Sequence, residues 1–231
     1  AVFVAHVNTA VERRHGKGPV VPWRSRFPPT TLPAADRSCA PTPRGSPDTS
    51  RPRPNWTTVI VVLTGDRNAG KTTVVAKTVA ELRARGISVA GFYAPDSDEG
   101  KDLVAASTGD RVPFARHGEP GPAEVGVGRF AISREALETG IEWAAQPSEV
   151  LVADEIGRLE RDGGGFAPVI ENRKPDPDRG ILLSVRREVV PDVLADVPAE
   201  TPSRRFVVTD ENRDRLPQEL SALLVDGVKQ G

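Results

Sequence analysis

No methionine occurs anywhere in the 231 residues, and cysteine occurs once, at Cys39. A single cysteine excludes an intramolecular disulfide and removes thiolate clusters as a metal site. The three histidines, His6, His15 and His117, are too scattered for a metal constellation, and no Ser-His-Asp or Cys-His arrangement emerges. No uninterrupted apolar run approaches the roughly 18 residues that a membrane-spanning helix needs. The chain therefore reads as soluble and cytoplasmic, with no membrane partner. Nor is there an excess of one charge, since the formal net charge is −1. Residues 1–55 nevertheless carry nine Lys/Arg against three Asp/Glu, a balance of +6 that leaves −7 for the remainder. No basic stripe is apparent in that remainder, which argues against nucleic acid as a partner.

Residues 1–55 are a different material from the rest. They hold ten of the 22 prolines, with PTPRGSP at Pro41–Pro47 and RPRP at Arg51–Pro54. Such a segment buries too little apolar surface to offset its ordering entropy, so a disordered Arg/Pro-rich leader is expected. An organelle transit peptide is a second reading of an Arg-rich, acid-poor start. An upstream extension from a mis-set start codon is a third. A single α/β domain is expected over residues 56–231.

The most informative stretch is Thr57–Thr73, TTVIVVLTGDRNAGKTT. A β-branched run predicts a buried strand over Thr57–Leu63, then a loop, then the first turn of a helix. The spacing Gly65-x-x-x-x-Gly70-Lys71-Thr72 is that of a P-loop. Glycines let successive N–H groups of Asp66, Arg67, Asn68, Ala69 and Gly70 converge on one anion, and the helix start adds the positive end of its dipole. Lys71 supplies a point charge for the β- and γ-phosphates, and the Thr72 hydroxyl suits Mg²⁺, with Thr73 following in the first turn. Asp66 is the odd member, because a carboxylate facing inward would repel phosphate.

A second stretch, Glu149–Glu160 (EVLVADEIGRLE), completes the chemistry that the first one begins. Val150–Ala153 is an apolar run suited to a central parallel strand. Asp154 and Glu155 follow at its carboxyl end, where open α/β sheets place their ligands. Asp154 is expected to hold the metal and Glu155 to polarise water for attack on the γ-phosphate. Taken alone, two acids ending a strand are as readily explained by solvation.

These motifs carry a resemblance. GDRNAGKTT at Gly65–Thr73, VAGFYAP at Val89–Pro95, VADEIGRLE at Val152–Glu160 and VVTDENRDRLP at Val207–Pro217 resemble the small P-loop nucleoside-triphosphatases first described from thermophiles. The vertebrate member of that family is the cancer-related nucleoside-triphosphatase. The resemblance covers about Thr57 to Val225. It implies a RecA-like, three-layer αβα fold with a mostly parallel sheet, hydrolysing nucleoside triphosphates with Mg²⁺ slowly and with broad base tolerance. Where family members often show a His-Arg pair, this chain has Arg186-Arg187.

Elsewhere, helical spacing predicts a helix over Lys71–Arg85 stopped by Gly86, and apolar runs predict strands at Ile87–Tyr93, Gly180–Val185 and Arg205–Val208. Lys101–Ala106 and Arg111–Arg116 read as an antiparallel hairpin inserted in the sheet. A nine-residue loop, Gly118–Gly126, leads to a strand at Val127–Ile132. Ser133 caps a helix reaching about Ala145. Gly126-x-Gly128-x-x-Ala131 opens a strand, so it is not a dinucleotide fingerprint. A helix around Phe166–Asn172, a short one at Val189–Ala195 and a closing one at Leu216–Val228 complete the pattern. Arg186 or Arg187 is a candidate charge stabiliser on the γ-phosphate. Asn212 and Arg213 are candidate base or ribose contacts, with capping of the helix start as the alternative. Glu160 is read as ordering the metal's surroundings or pairing with Arg158 or Arg161.

Two rival functions share these motifs. One is a kinase passing the γ-phosphoryl to a small molecule, its lid drawn from Lys101, Arg111 and Arg116. The other is a nucleotide-gated adaptor with slow hydrolysis. No LSGGQ-like signature supports an ABC-type ATPase.

Overall fold

Ten strands join in one sheet in the computed structural model, which describes residues 59–171, 179–195, 197 and 201–226. Residues 1–58, including the expected leader, lie outside the described residues, as do Asn172 and residues 227–228 of the closing helix. Five strands are parallel: β1 (Ile60–Gly65), β2 (Val89–Tyr93), β8 (Val150–Ile156), β9 (Gly180–Val185) and β10 (Ser203–Val208). They run β10-β1-β9-β8-β2 across the sheet. One strand therefore separates the loop-bearing β1 from the acid-bearing β8, as in a RecA-like core.

The other five are antiparallel: β3 (Asp96–Ser97), β4 (Gly100–Ala105), β5 (Arg111–His117), β6 (Glu124–Val127) and β7 (Phe130–Ser133). They extend the sheet from β2 in the order β4-β5-β7-β6, with β3 on β4. The expected hairpin is thus half of the sheet rather than a small insertion. The difference lies at residues 118–133. In place of a long loop and one strand, β6 and β7 pair across a two-residue turn whose Gly128 has φ 63°. Left-handed backbone at that position suits a tight hairpin, and glycine supplies it freely.

Alternation along the first strand builds two cores at once. Val59, Val61 and Leu63 pack with α1 (Lys71–Ala84) through Val75 and Leu82 and with α6 (Leu216–Asp226) through Leu220 and Leu224. Ile60 and Val62 face the opposite layer. That layer holds α2 (Arg134–Ala144), α4 (Ala167–Glu171) and α5 (Val190–Ala195), which contribute Leu137, Ile170 and Val193. A strand buried on both faces must be apolar throughout, which explains the unbroken IVVL run. Ser133 caps α2 as expected, its hydroxyl accepting from the Ala136 N–H at 3.2 Å.

Glu160, on the short helix α3 (Arg158–Arg161), is only 7% exposed, and among the described residues no ion pair joins it to an arginine. Its two carboxylate oxygens accept the N–H groups of Gly157 at 2.7 Å and Phe166 at 3.1 Å. It staples the turn that follows β8. The Gly163–Gly165 run has its reason here: Gly165 has φ 56°, and a Cβ on it would run into Glu160 Oε1.

Candidate nucleotide site

The phosphate loop takes its shape from glycines at both ends. Gly65 closes β1 against β10, where a Cβ would meet the Val208 carbonyl oxygen at 2.9 Å. Asn68 and Gly70 are left-handed, with φ 63° and 91°. No side chain caps the start of α1. Its first amides are thus presented at the loop, the arrangement that binds anions. Lys71 Nζ lies over the loop, donating to the carbonyls of Asp66 at 2.8 Å and Gly65 at 3.2 Å. Burial holds the Lys71 ammonium below its ordinary pKa, partly countered by Glu155 and Asp154.

The acids of β8 come to the same place. Asp154 is 1% exposed and accepts the N–H groups of Glu155 at 2.9 Å and Ala94 at 3.3 Å. The Thr72 and Ser184 side chains line the same cleft beside it. Two stretches far apart in the chain thus meet at the sheet rim. Burial pushes the Asp154 carboxyl above its usual range, and the neighbouring Glu155 adds to the effect.

Glu155 has φ 65°, and the pairing of β8 with β9 shifts register between Ala153 and Ile156. This is a bulge: it turns the second acid away from the position its strand would give it. Strained backbone of this kind costs about 1–3 kcal/mol and persists only where its surroundings fix it. Here Lys101 Nζ lies 3.0 Å from Glu155 Oε1, and Arg186 Nη2 lies 3.6 Å from Oε2. Lys101 is itself held by Asp96 Oδ1 at 3.0 Å and the Ala94 carbonyl at 3.2 Å.

The end of β9 ties these pieces together. Ser184 lies beside Asp154, Arg186 meets Glu155, and Arg187 Nη2 lies 3.1 Å from Asp66 Oδ1. Asp66 therefore turns out of the loop, which removes its conflict with an anion. Arg67, Asn68 and Thr73 are exposed on the loop and the start of α1, with Ala69 half-buried between them. Arg213 passes beside Gly70 and pairs with Asp210 at 2.9 Å. Asn212 braces the turn after β10, its amide accepting from the Thr209 N–H at 2.9 Å and donating to the Val207 carbonyl at 2.8 Å.

Loop, acids and cations border a cleft of about 1060 Å³ that continues onto the antiparallel strands. Sequence reasoning missed Ser184 and the backbone of Ala94, and it placed Lys101 in a lid rather than against Glu155. Ser184 left one signal, a hydroxyl at the carboxyl end of an otherwise apolar central strand.

A loop of this shape on β1, with buried acid on a strand two places away, defines a P-loop nucleoside-triphosphatase fold. The protein-family model described as NTPase matches residues 60–221, and the chain belongs to that family. The Nucleoside-triphosphatase THEP1 of Methanopyrus kandleri is 33% identical over 166 residues, 69% of this chain and 92% of that protein. The human Cancer-related nucleoside-triphosphatase is 29% identical over 174 residues, 68% of this chain and 91% of that protein. Its solution structure matches with a TM-score of 0.55 at 27% identity, covering 72% of this chain and 97% of that one. Among the described residues, no helix is long and apolar enough to cross a membrane.

Proposed function

We propose that this NTPase-family chain hydrolyses the β–γ phosphoanhydride of Mg²⁺-bound nucleoside triphosphates, releasing the diphosphate and phosphate. The observation that carries the reading is that Thr72, beside Lys71 at the start of α1, and the buried Asp154 carboxylate border one cleft with the phosphate loop. Every donor gathered there is oxygen, the choice of a hard cation such as Mg²⁺. Among the described residues, no group of three or more His, Cys, Asp or Glu side chains is arranged to hold a metal. That fits an ion completed by water and substrate phosphates rather than caged by protein. Thr72 and Asp154 would hold it, and when bound it would neutralise charge on the phosphate oxygens.

The chain's own groups do the rest. Amides of residues 66–70 and the start of α1 receive the phosphates, and Lys71 exchanges its loop carbonyls for β- and γ-oxygens. Glu155 orients a water in line with the γ-phosphorus and takes its proton as the new P–O bond forms and the bond to the β-phosphate breaks. Arg186, already beside Glu155, meets the charge that develops on the γ-oxygens. Arg213, next to Gly70, is better placed than Asn212 for a ribose or base contact, because the Asn212 amide already serves its turn. Glu155→Gln is expected to slow phosphate release by about 10²–10⁴-fold while sparing nucleotide binding. Release at the parental rate overturns the role given to Glu155.

A further inference from the structure

The cleft does not stop at Glu155. Past Lys101 it continues along the antiparallel strands, where His117, Val127 and Phe130 line it. Register sets these three side by side, since His117 pairs with Phe130 and Phe130 with Val127, at one end of β5, β6 and β7. This wall is unlike the core beneath it. Phe92, Phe114 and Phe166 are buried, whereas His117 is exposed and Phe130 half-buried. The His117 and Phe130 rings lie 4.7 Å apart at 28° to one another, and the Arg129 guanidinium lies 5.2 Å from the Phe130 centroid. Aromatic side chains left open in a groove are what proline-rich segments dock on. Proline's fixed φ makes such a segment cheap to order, because little backbone freedom is lost.

The rim of this outer part is acidic. Asp98 and Glu99 form the turn between β3 and β4, and Glu119 follows the end of β5. The pairing of Gly100 with Arg116 brings these ends together. All three acids are exposed, and among the described residues none of them makes an ion pair. The cations nearest them are engaged elsewhere, Lys101 with Glu155 and Arg116 with Glu124. An occupant carrying proline and a positive charge suits both wall and rim. The chain holds one before β1: Pro41–Pro47, PTPRGSP, has three prolines and a single charge, Arg44.

Reach singles this segment out. From Ile60 to Phe130 the sheet crosses six strand spacings, in the order β1-β9-β8-β2-β4-β5-β7. Register adds an offset of eight residues along the strands. At about 4.8 Å per spacing and 3.3 Å per residue, Ile60 and Phe130 are roughly 40 Å apart. At about 3.1 Å per residue, Pro47 and Pro41 can lie roughly 40 and 60 Å from Ile60. The other proline-rich stretch, Arg51–Pro54, extends no further than roughly 28 Å and falls short. We propose that Pro41–Pro47 docks in this outer part of the cleft of its own chain, its prolines on His117 and Phe130 and Arg44 facing Glu119 and the Asp98-Glu99 turn. Docked there, the segment closes the side of the cleft that opens beyond Lys101. The proposal goes beyond the hydrolytic reading and does not depend on it.

The test uses the full chain with a photoreactive benzoylphenylalanine in place of Arg129, which is exposed beside Phe130. After irradiation, mass spectrometry identifies the cross-linked peptides. Mixing isotope-labelled with unlabelled chains tells links within one chain from links between two. Cross-links should concentrate on residues 41–47 and stay within one chain. Pro41→Ser combined with Pro43→Ser, and separately Arg44→Glu, should each lower their yield at least about fivefold. Both changes precede β1 and leave every residue of the sheet intact. Links spread evenly over residues 1–58, links concentrated on residues 51–54, or a yield that neither variant moves would overturn the proposal. Links that join a labelled chain to an unlabelled one overturn it as well, in favour of the same segment from a second copy.

Discussion

Lys101 Nζ lies 3.0 Å from Glu155 Oε1, although the two residues belong to opposite halves of the sheet. Burial alone would lower the Lys101 ammonium, but Glu155 and Asp96 outweigh it and hold it above its ordinary value. It therefore stays charged at neutral pH. The antiparallel half thus contributes a fixed cation to the acid proposed to orient the attacking water.

Replacing that cation should loosen the acid without touching the phosphate grip. In Lys101→Met, kcat is expected to fall about tenfold, less than the roughly 10²–10⁴-fold that a positioned base contributes in full. KM should change less than about twofold, since Lys71 and the loop are untouched. Steady-state kinetics on ATP separates the two parameters. A KM effect with unchanged kcat would show that Lys101 contacts the nucleotide rather than Glu155.

Asp154→Asn keeps the shape of its pocket but removes the charge opposite Thr72. Even outer partners of a metal ion cost 10–100-fold in its affinity when lost, so the Mg²⁺ concentration for half-maximal hydrolysis should rise at least that much. Titrating Mg²⁺ at saturating ATP measures it. Chelating the metal with EDTA should abolish phosphate release by the parental chain, and excess Mg²⁺ should restore it.

Glu160 predicts a pH dependence of stability with a definite sign. Burial raises its carboxyl above the ordinary value of 4.5, despite the two amides that bond it. Between 4.5 and that raised value, the folded chain holds a proton that the unfolded chain has lost. Stability therefore falls as pH rises through that window. Thermal melts across mildly acidic pH should record this fall. Glu160→Gln should flatten it and lower stability overall by about 1–3 kcal/mol, because an amide group would face one of the two N–H donors. A Gln variant with the parental slope would assign the dependence to another carboxyl.

What the sequence made legible is what lies close together along it. The phosphate loop and the Asp154-Glu155 pair are each contiguous, and their residue types follow from the chemistry of phosphate and cation. The cations on Glu155 were not legible, because Lys101 reaches it only through the pairing of β4 with β2 and of β2 with β8. The β6–β7 hairpin was hidden by a turn of two residues, Gly128 and Arg129, inside what reads as one apolar run. Glu160 misled for a related reason. An acid in EIGRLE invites an ionic partner, whereas burial gave it two backbone amides.

The end of β9 has one more consequence. Ser184, Arg186 and Arg187 meet Asp154, Glu155 and Asp66 in turn. Three acids on two separate segments are therefore indexed against a single short ruler. Displacing β9 by one residue would turn Ser184 to the other face of the sheet and carry both arginines with it, so the whole constellation would go out of alignment together rather than piece by piece.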